Sequence, residues 1–467
     1  MLISNQKFIN FSKENQKFLY SSYYSVLILL IGAIGFIFKI ERLSMALLML
    51  IASYNFITSK DFLPNFIILV IISLTPLARY GESGYFYPLI YFVPIVILSI
   101  IFHIIVYREK VRFGRFFYPA VAVALAVTLG GLFSSTFLAT FTMPAFYYVF
   151  TLGIGMVAIY LFLEAYTPHF DKNLINYFSI MMVAVGVMGI IMISTNYIKF
   201  GYLINNNFSS FMQKLQWGNN LSTTLLLSMP FAFYLSTKDK FNVFYFVIGC
   251  LQYISVLLSL SRGGVLFSTL IIPFIVIATL KYNKNDRVKF ISALIIIISL
   301  LVLLLTIVYN SLGAHLINSI EVSGDEARAN LYKLAFDNLL NNPIFGTGLG
   351  FKSDLYYHPQ DWCIYWYHST LFQILGSLGL LGVICYTYQY FVRFKTLFEV
   401  KSLFNIFVLL SFLGFEAYSM VNIGNFAPLP YVVMLFYMFI ISDRYNEMIK
   451  KTPEIYRSEL IKYRKYI

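Results

Sequence analysis

Charge is what this chain has least of: Asp, Glu, Lys and Arg make up 12% of its 467 residues, about half the share of an ordinary soluble domain. So few charges cannot clothe a water-facing surface, which excludes a soluble globular fold. Cysteine is equally scarce. Cys250, Cys363 and Cys385 are scattered and two of them lie inside apolar runs. No CxxC or Cys/His spacing is present, so neither a disulfide framework nor a structural zinc site is expected. The first apolar run, Tyr23 to Phe38, follows a basic start but no small-residue cleavage site follows it. It reads as a retained anchor rather than a removed leader. No internal repeat stands out.

What the chain does have is apolar length. Hydrophobic residues reach 59% and the mean hydropathy is +0.75. Runs of about 15 to 22 apolar residues, close to what a helix needs to cross a bilayer core of about 30 Å, recur from end to end. Inside lipid each run must satisfy its own backbone hydrogen bonds, so the expected fold is an all-α polytopic membrane protein. About fourteen spans are expected, at 20-38, 43-58, 62-78, 86-107, 116-137, 145-166, 174-194, 220-236, 241-260, 264-280, 290-309, 369-391, 403-421 and 426-442. With both tails inside, nine of the 34 Lys and Arg fall outside (Lys39, Arg42, Arg79, Lys199, Lys214, Arg262, Arg328, Lys333 and Lys352) and the other 25 inside. That bias sets the orientation. The net charge of +13 therefore faces anionic lipid, and no nucleic-acid partner is expected.

This arrangement divides the chain into N-terminal spans (1-194), a middle group (195-309), one large outer loop (310-368), the last spans (369-442) and a basic tail (443-467). The tail, with its Lys, Arg, Tyr and Leu, is expected to lie on the inner leaflet. Within the outer loop, Ser323-Gly324-Asp325-Glu326 has the form of a capping box, so a helix should start there. Leu331, Ala335 and Leu339 keep helical spacing, and Asn342-Pro343 should end the helix. Arg328 falls in its first turns, as a solvated arginine, as a partner of Asp325, or as an anion ligand. Gly346-Thr347-Gly348-Leu349-Gly350 allows close backbone approach to a ligand or to another helix. It lacks the strand-turn-helix setting of a nucleotide fingerprint, and a tight turn without ligand is the plain alternative.

Ionisable groups near the outer membrane boundary carry the remaining chemistry. Arg262, in Ser261-Arg262-Gly263-Gly264, must snorkel to water or meet an anion. Glu416 needs a partner in the outer half of its span, for which Arg262 is a candidate. His103 and Glu164 lie near inner ends, where water accounts for them. His368 follows a loop containing Tyr356, Tyr357, His358, Asp361, Tyr365 and Tyr367 and immediately precedes a span. An imidazole, with an ordinary pKa near 6.5, can serve there as a general base.

These motifs in this order resemble the O-antigen ligase and polymerase family of bacterial surface-polysaccharide assembly. The resemblance rests on Trp217-Gly218-Asn219-Asn220, Leu260-Ser261-Arg262-Gly263-Gly264, Arg328 with its helix, Asn342 to Gly350, and His368-Ser369 followed by Gln373 to Gly382. It covers roughly residues 215 to 395. Family members often carry Asn after the histidine, where this chain has Ser369. The resemblance implies a metal-independent inverting enzyme with a C-type glycosyltransferase-like fold and no cofactor. Its substrates would be an undecaprenyl-pyrophosphate-linked oligosaccharide and a glycan acceptor, at the outer face of a bacterial cytoplasmic membrane. Further partners would be the lipid bilayer and a chain-length regulator protein. It assigns His368 as the catalytic base and Arg262 and Arg328 to the pyrophosphate. Ser261, Asn220, Ser369, Glu416, Gly346 and Gly348 become substrate or supporting residues. The residues leave polymerase and ligase open. Usage rich in Asn, Ile, Lys, Phe and Tyr points to an AT-rich genome and tilts the expectation to polymerase. A lipid-linked glycan flippase would instead need charges lining many spans, and a non-enzymatic scaffold leaves the Arg/His set without a purpose.

Overall fold

The computed structural model describes residues 15-77, 83-168, 173-199, 217-238, 242-259, 261-283, 287-308, 324-351 and 366-452. Several expected features lie outside them: most of the 195-219 connection, Ser323, the aromatic run from Tyr356 to Tyr365, Cys363 and the tail beyond 452. The described residues form helices and turns, without strands.

In chain order the α-helices are α1 (Ser22–Ile37), α2 (Glu41–Thr58), α3 (Leu63–Leu77), α4 (Val93–Tyr107), α5 (Phe117–Leu129), α6 (Met143–Leu152), α7 (Ile154–Ala165) and α8 (Leu174–Lys199). They continue with α9 (Trp217–Ser236), α10 (Asn242–Leu258), α11 (Arg262–Tyr282), α12 (Arg287–Val308), α13 (Gly324–Asn341), α14 (Thr370–Glu399), α15 (Leu403–Ser419) and α16 (Val433–Lys451). Side-chain hydroxyls start several of them: Ser21, Ser261, Ser369 and Ser402 each accept a hydrogen bond from a backbone amide three residues on.

Burial sorts these helices into a centre and a rim. In α16 every residue from Val433 to Asn446 is buried, and in α9 every residue from Leu221 to Ser236. A helix buried on all sides belongs to the interior. The Tyr437 ring of α16 stacks on Phe66 of α3 and meets Phe178 of α8 edge-on. By contrast, α4, α11 and α12 expose rows of large apolar side chains such as Ile97, Leu98, Leu266, Leu270, Phe274, Val288 and Ile295. In a chain of this composition those rows face lipid.

A helical membrane protein is what the structure shows, but the count of about fourteen spans is not supported. Among the described residues five helices are long and apolar enough to cross a bilayer: Gly84–Tyr107, Ala145–Ala165, Leu174–Ile198, Arg262–Tyr282 and Thr370–Glu399. Five more are apolar but shorter. Hydropathy also does not see where helices break. Expected span 116-137 stops at Leu129 before Gly130-Gly131, and 145-166 is interrupted at Gly153. The last expected span opens with irregular turns from Gly424 to Val432 and becomes α-helical only at Val433.

Three further expectations need correction, all for the same reason: helix packing reaches further than hydropathy suggests. The tail begins inside α16, where Asp443 and Arg444 are buried and Arg444 pairs with Glu164. Glu164 is therefore buried and ion-paired rather than water-facing. His103 is also fully buried, with its Nδ1 2.8 Å from the Phe56 carbonyl oxygen. Arg393, grouped by position with the inner-loop cations, is buried inside α14.

Candidate active site

The described part of the expected outer loop, residues 324-351, is built into the bundle rather than laid upon it. Helix α13 starts at Gly324 and ends at Asn341, as the capping box and Asn342-Pro343 require. The chain then turns through Gly346 and Gly348, whose φ values of +64° and +83° suit glycine. Here the close approach is to another helix. Helix α14 breaks at Gly379 (φ +61°), and the loop fills the gap in its hydrogen bonding. Thr347 and Gly348 donate to the Gly376 and Ser377 carbonyls at 2.9 and 2.8 Å, while Leu380 and Leu381 donate to Pro343 and Ile344 at 2.9 and 3.0 Å. A Cβ on Gly346 would lie 2.5 Å from the Ser377 carbonyl carbon. The glycine repeat thus serves backbone pairing at membrane depth, tolerable because protein rather than lipid surrounds it.

That docking sets up the residues around His368. Asn338 of α13 donates to the Tyr367 hydroxyl at 2.7 Å, and the Tyr367 amide donates to Gln373 Oε1 at 3.1 Å. Tyr332 stacks flat on Phe372, centroids 4.2 Å apart. Burial raises the Tyr332 pKa, and the neighbouring positive charge of Arg328 opposes that rise. Between buried Tyr367 and buried Ser369, His368 is half-buried and has φ +52°. That conformation is uncommon outside glycine and is more accessible to His than to branched residues. Ser369 caps α14 by accepting from the Phe372 amide at 3.5 Å. Asn at this position would cap the helix equally well.

The second group of residues assembles where α11 begins. Ser261 Oγ lies 2.7 Å from both Asn219 Oδ1 and the Tyr418 hydroxyl, and accepts from the Gly264 amide at 3.3 Å. Its hydroxyl is committed to structure. Arg262, the next residue, is exposed. Asn220 accepts from the Tyr431 hydroxyl at its carbonyl, 2.8 Å, and at Oδ1, 3.3 Å. Tyr418, at the end of α15, joins the two groups. Val421, three residues on, and the Tyr418 ring wall in Gly263, the Asn422 carbonyl accepts from Thr370 Oγ1 at 3.4 Å, and Tyr418 lies within the electrostatic range of Arg328. The starts of α9, α11 and α14, the end of α15 and the first turns of α13 therefore meet at one end of the bundle. His368, Arg262, Arg328, Ser261, Asn220 and Ser369 are all there. Among the described residues neither Arg262 nor Arg328 has a carboxylate in ion-pair range.

Glu416 sits apart from Arg262, contrary to the suggested pairing. Its Oε2 accepts from Tyr390 at 2.7 Å and Asn425 at 2.8 Å, and its Oε1 lies 3.5 Å from Arg393 Nη1. Position explains the exchange: Arg393 is buried in α14 beside α15, whereas Arg262 is exposed at the start of α11. Tyr418, Asn422 and Tyr431 were not singled out in the sequence, because tyrosine at a span end reads as an interfacial anchor. Only the proximity of Tyr418 to the Val421-Asn422 turn hints otherwise.

Residues 244–387 match the family model described as O-antigen ligase. The chain carries an O-antigen ligase/polymerase-type domain. No curated protein and no solved structure matches the chain. The ligase/polymerase-type domain takes in Arg262, Arg328, Gly346, Gly348 and His368 with Ser369; Asn220, Tyr418 and Glu416 lie beyond the matched residues and are tied to it by the contacts above. A domain of this type is that of a glycosyltransferase-like membrane enzyme, within a multi-pass helical protein.

Proposed function

We propose that this protein is a polysaccharide polymerase that transfers glycan from an undecaprenyl-pyrophosphate donor to an acceptor hydroxyl at the outer face of the bacterial cytoplasmic membrane. One observation carries the reading: a half-buried imidazole and two guanidinium groups, without carboxylate partners among the described residues, share one end of the bundle with a neutral net of hydroxyls and amides. The acceptor oxygen attacks the anomeric carbon, and its proton passes to His368. The bond from that carbon to the pyrophosphate oxygen breaks, and the electron pair leaves with undecaprenyl pyrophosphate. Arg262 and Arg328 stabilise the departing charge through charge-assisted, planar contacts. Direct displacement inverts the anomeric centre. The cationic pair takes the charge-neutralising role that a divalent ion plays elsewhere, so transfer is expected to persist in chelator.

The ligase alternative differs only in the acceptor: lipid A core, protein or wall polymer in place of a second lipid-linked repeat. Composition favours the polymerase. Reconstitution of the purified protein with a defined lipid-linked donor tests both. Chain growth from donor alone supports the polymerase, and transfer only when another acceptor is added supports the ligase. Unchanged turnover in His368→Ala removes the mechanism for either.

A further inference from the structure

Arg393 is among the largest fully buried side chains, and its surroundings tie together the two halves of the site. It belongs to α14, the helix that His368 and Ser369 open, and it lies over the Phe412 and Phe439 rings at 5.5 and 5.4 Å. Its Nη1 faces Glu416 Oε1 at 3.5 Å, beyond a normal hydrogen bond for such a pair, and neither atom has a hydrogen-bond partner among the described residues. Beside it is a cavity of about 20 Å³ lined by Gln389, Arg393 and Asn425 among apolar neighbours, room for about one water. Glu416 also holds Tyr390 of α14 and Asn425. Asn425 belongs to the turn that follows α15, the same turn whose Asn422 carbonyl holds Thr370. Two residues after Glu416 comes Tyr418, which holds Ser261 beside Arg262. Charges in a low-dielectric interior are costly unless paired, so the only favourable arrangement keeps α14 and α15 in this register.

We propose that Arg393 is a positioning residue: by engaging Glu416 it fixes α14 against α15 and thereby sets the spacing between the His368 and Arg262 ends of the site. The inference rests on the catalytic reading of that site, but its geometric part does not. Loss of the guanidinium leaves Glu416 unopposed, frees the turn from Asn422 to Asn425, and lets the imidazole and the pyrophosphate-binding end drift apart. A displacement of that kind acts on turnover more than on donor binding.

The test uses the full chain in nanodiscs with Cys250, Cys363 and Cys385 replaced by alanine and spin labels at Leu266→Cys and Leu371→Cys, exposed positions one turn along from Arg262 and His368. Electron-electron resonance should give one narrow distance distribution, broadened or shifted by Arg393→Met and recovered by Arg393→Lys. In unlabelled protein, Arg393→Met should lower kcat about 10²-fold with KM little changed, Tyr390→Phe should lower it less, and Arg393→Lys should recover most of it. An unchanged distribution in Arg393→Met overturns the proposal, and so does a broadened one with full kcat per folded molecule. Should Arg393→Met not fold, Arg393→Lys and Tyr390→Phe must show the graded effect, and wild-type behaviour in both overturns it. If the wild type transfers no glycan from the pyrophosphate donor, the functional reading fails while the distance measurement still decides the coupling.

Discussion

The two ends of the bundle use arginine in opposite ways. At the end where α16 finishes, cations and carboxylates consume each other. Arg115 pairs with Glu399 and with Asp443 at 3.2 Å, Lys450 shares Glu399, and Arg444 pairs with buried Glu164. At the other end Arg262 and Arg328 sit among Ser261, Asn219, Tyr418 and Tyr332, groups that carry no negative charge. The first arrangement stabilises; the second leaves the positive charge that the proposed mechanism assigns to the departing pyrophosphate. On the proposed function, ion pairing separates charges that hold helices together from charges that meet a ligand.

Mutations at the two ends should split along that line. The largest effect is expected from His368→Ala: long-chain polysaccharide lost, with the protein inserted at normal abundance, read by gel profile and immunoblot from the same cells. Polymer of normal length would erase the distinction at its strongest point. Arg262→Lys follows, with turnover lowered about 10²-fold or more, because a point charge does not replace a planar fork. Its thermal unfolding should match wild type. At the paired end the pattern reverses. Arg444→Met, which strands the Glu164 carboxylate, should cost about 3 to 5 kcal/mol of stability while kcat per folded molecule stays near normal; a selective loss of kcat there would refute the contrast. The smallest change is Ser261→Ala, which removes a cap worth about 1 kcal/mol together with the tie to Tyr418. A lower melting temperature with a modest fall in turnover is expected, and a larger loss than in Arg262→Lys would give Ser261 a direct role.

The sequence named candidate residues that the fold brings to one end of the bundle, whereas the contacts that place them there were not legible. His368, Arg262 and Arg328 could be picked out because an ionisable group at a membrane boundary is costly, and the capping box placed α13 to within a residue of its observed start. The partners of Glu416 could not be read, since hydropathy ends the span at 391 and puts Arg393 in a loop, whereas α14 continues to Glu399 with Arg393 buried in it. Gly379 looked like one more small residue in an apolar run. That it breaks α14 depends on bonds to Pro343 and Ile344, more than thirty positions earlier, and no local pattern carries that information. Helix ends were equally hard to read: the interruptions at Gly130 and Gly153 leave average hydropathy nearly unchanged.

The backbone exchange between the Pro343 to Gly348 loop and the interrupted helix has a practical corollary for protein engineering. That segment is threaded into its own scaffold, with Thr136 donating to Thr347 and Gly131 to Phe345 as further stitches from a distant part of the chain. Transplanting that segment between related enzymes to exchange acceptor preference should yield folded chimeras only when the receiving helix break and the stretch from 130 to 141 travel with it.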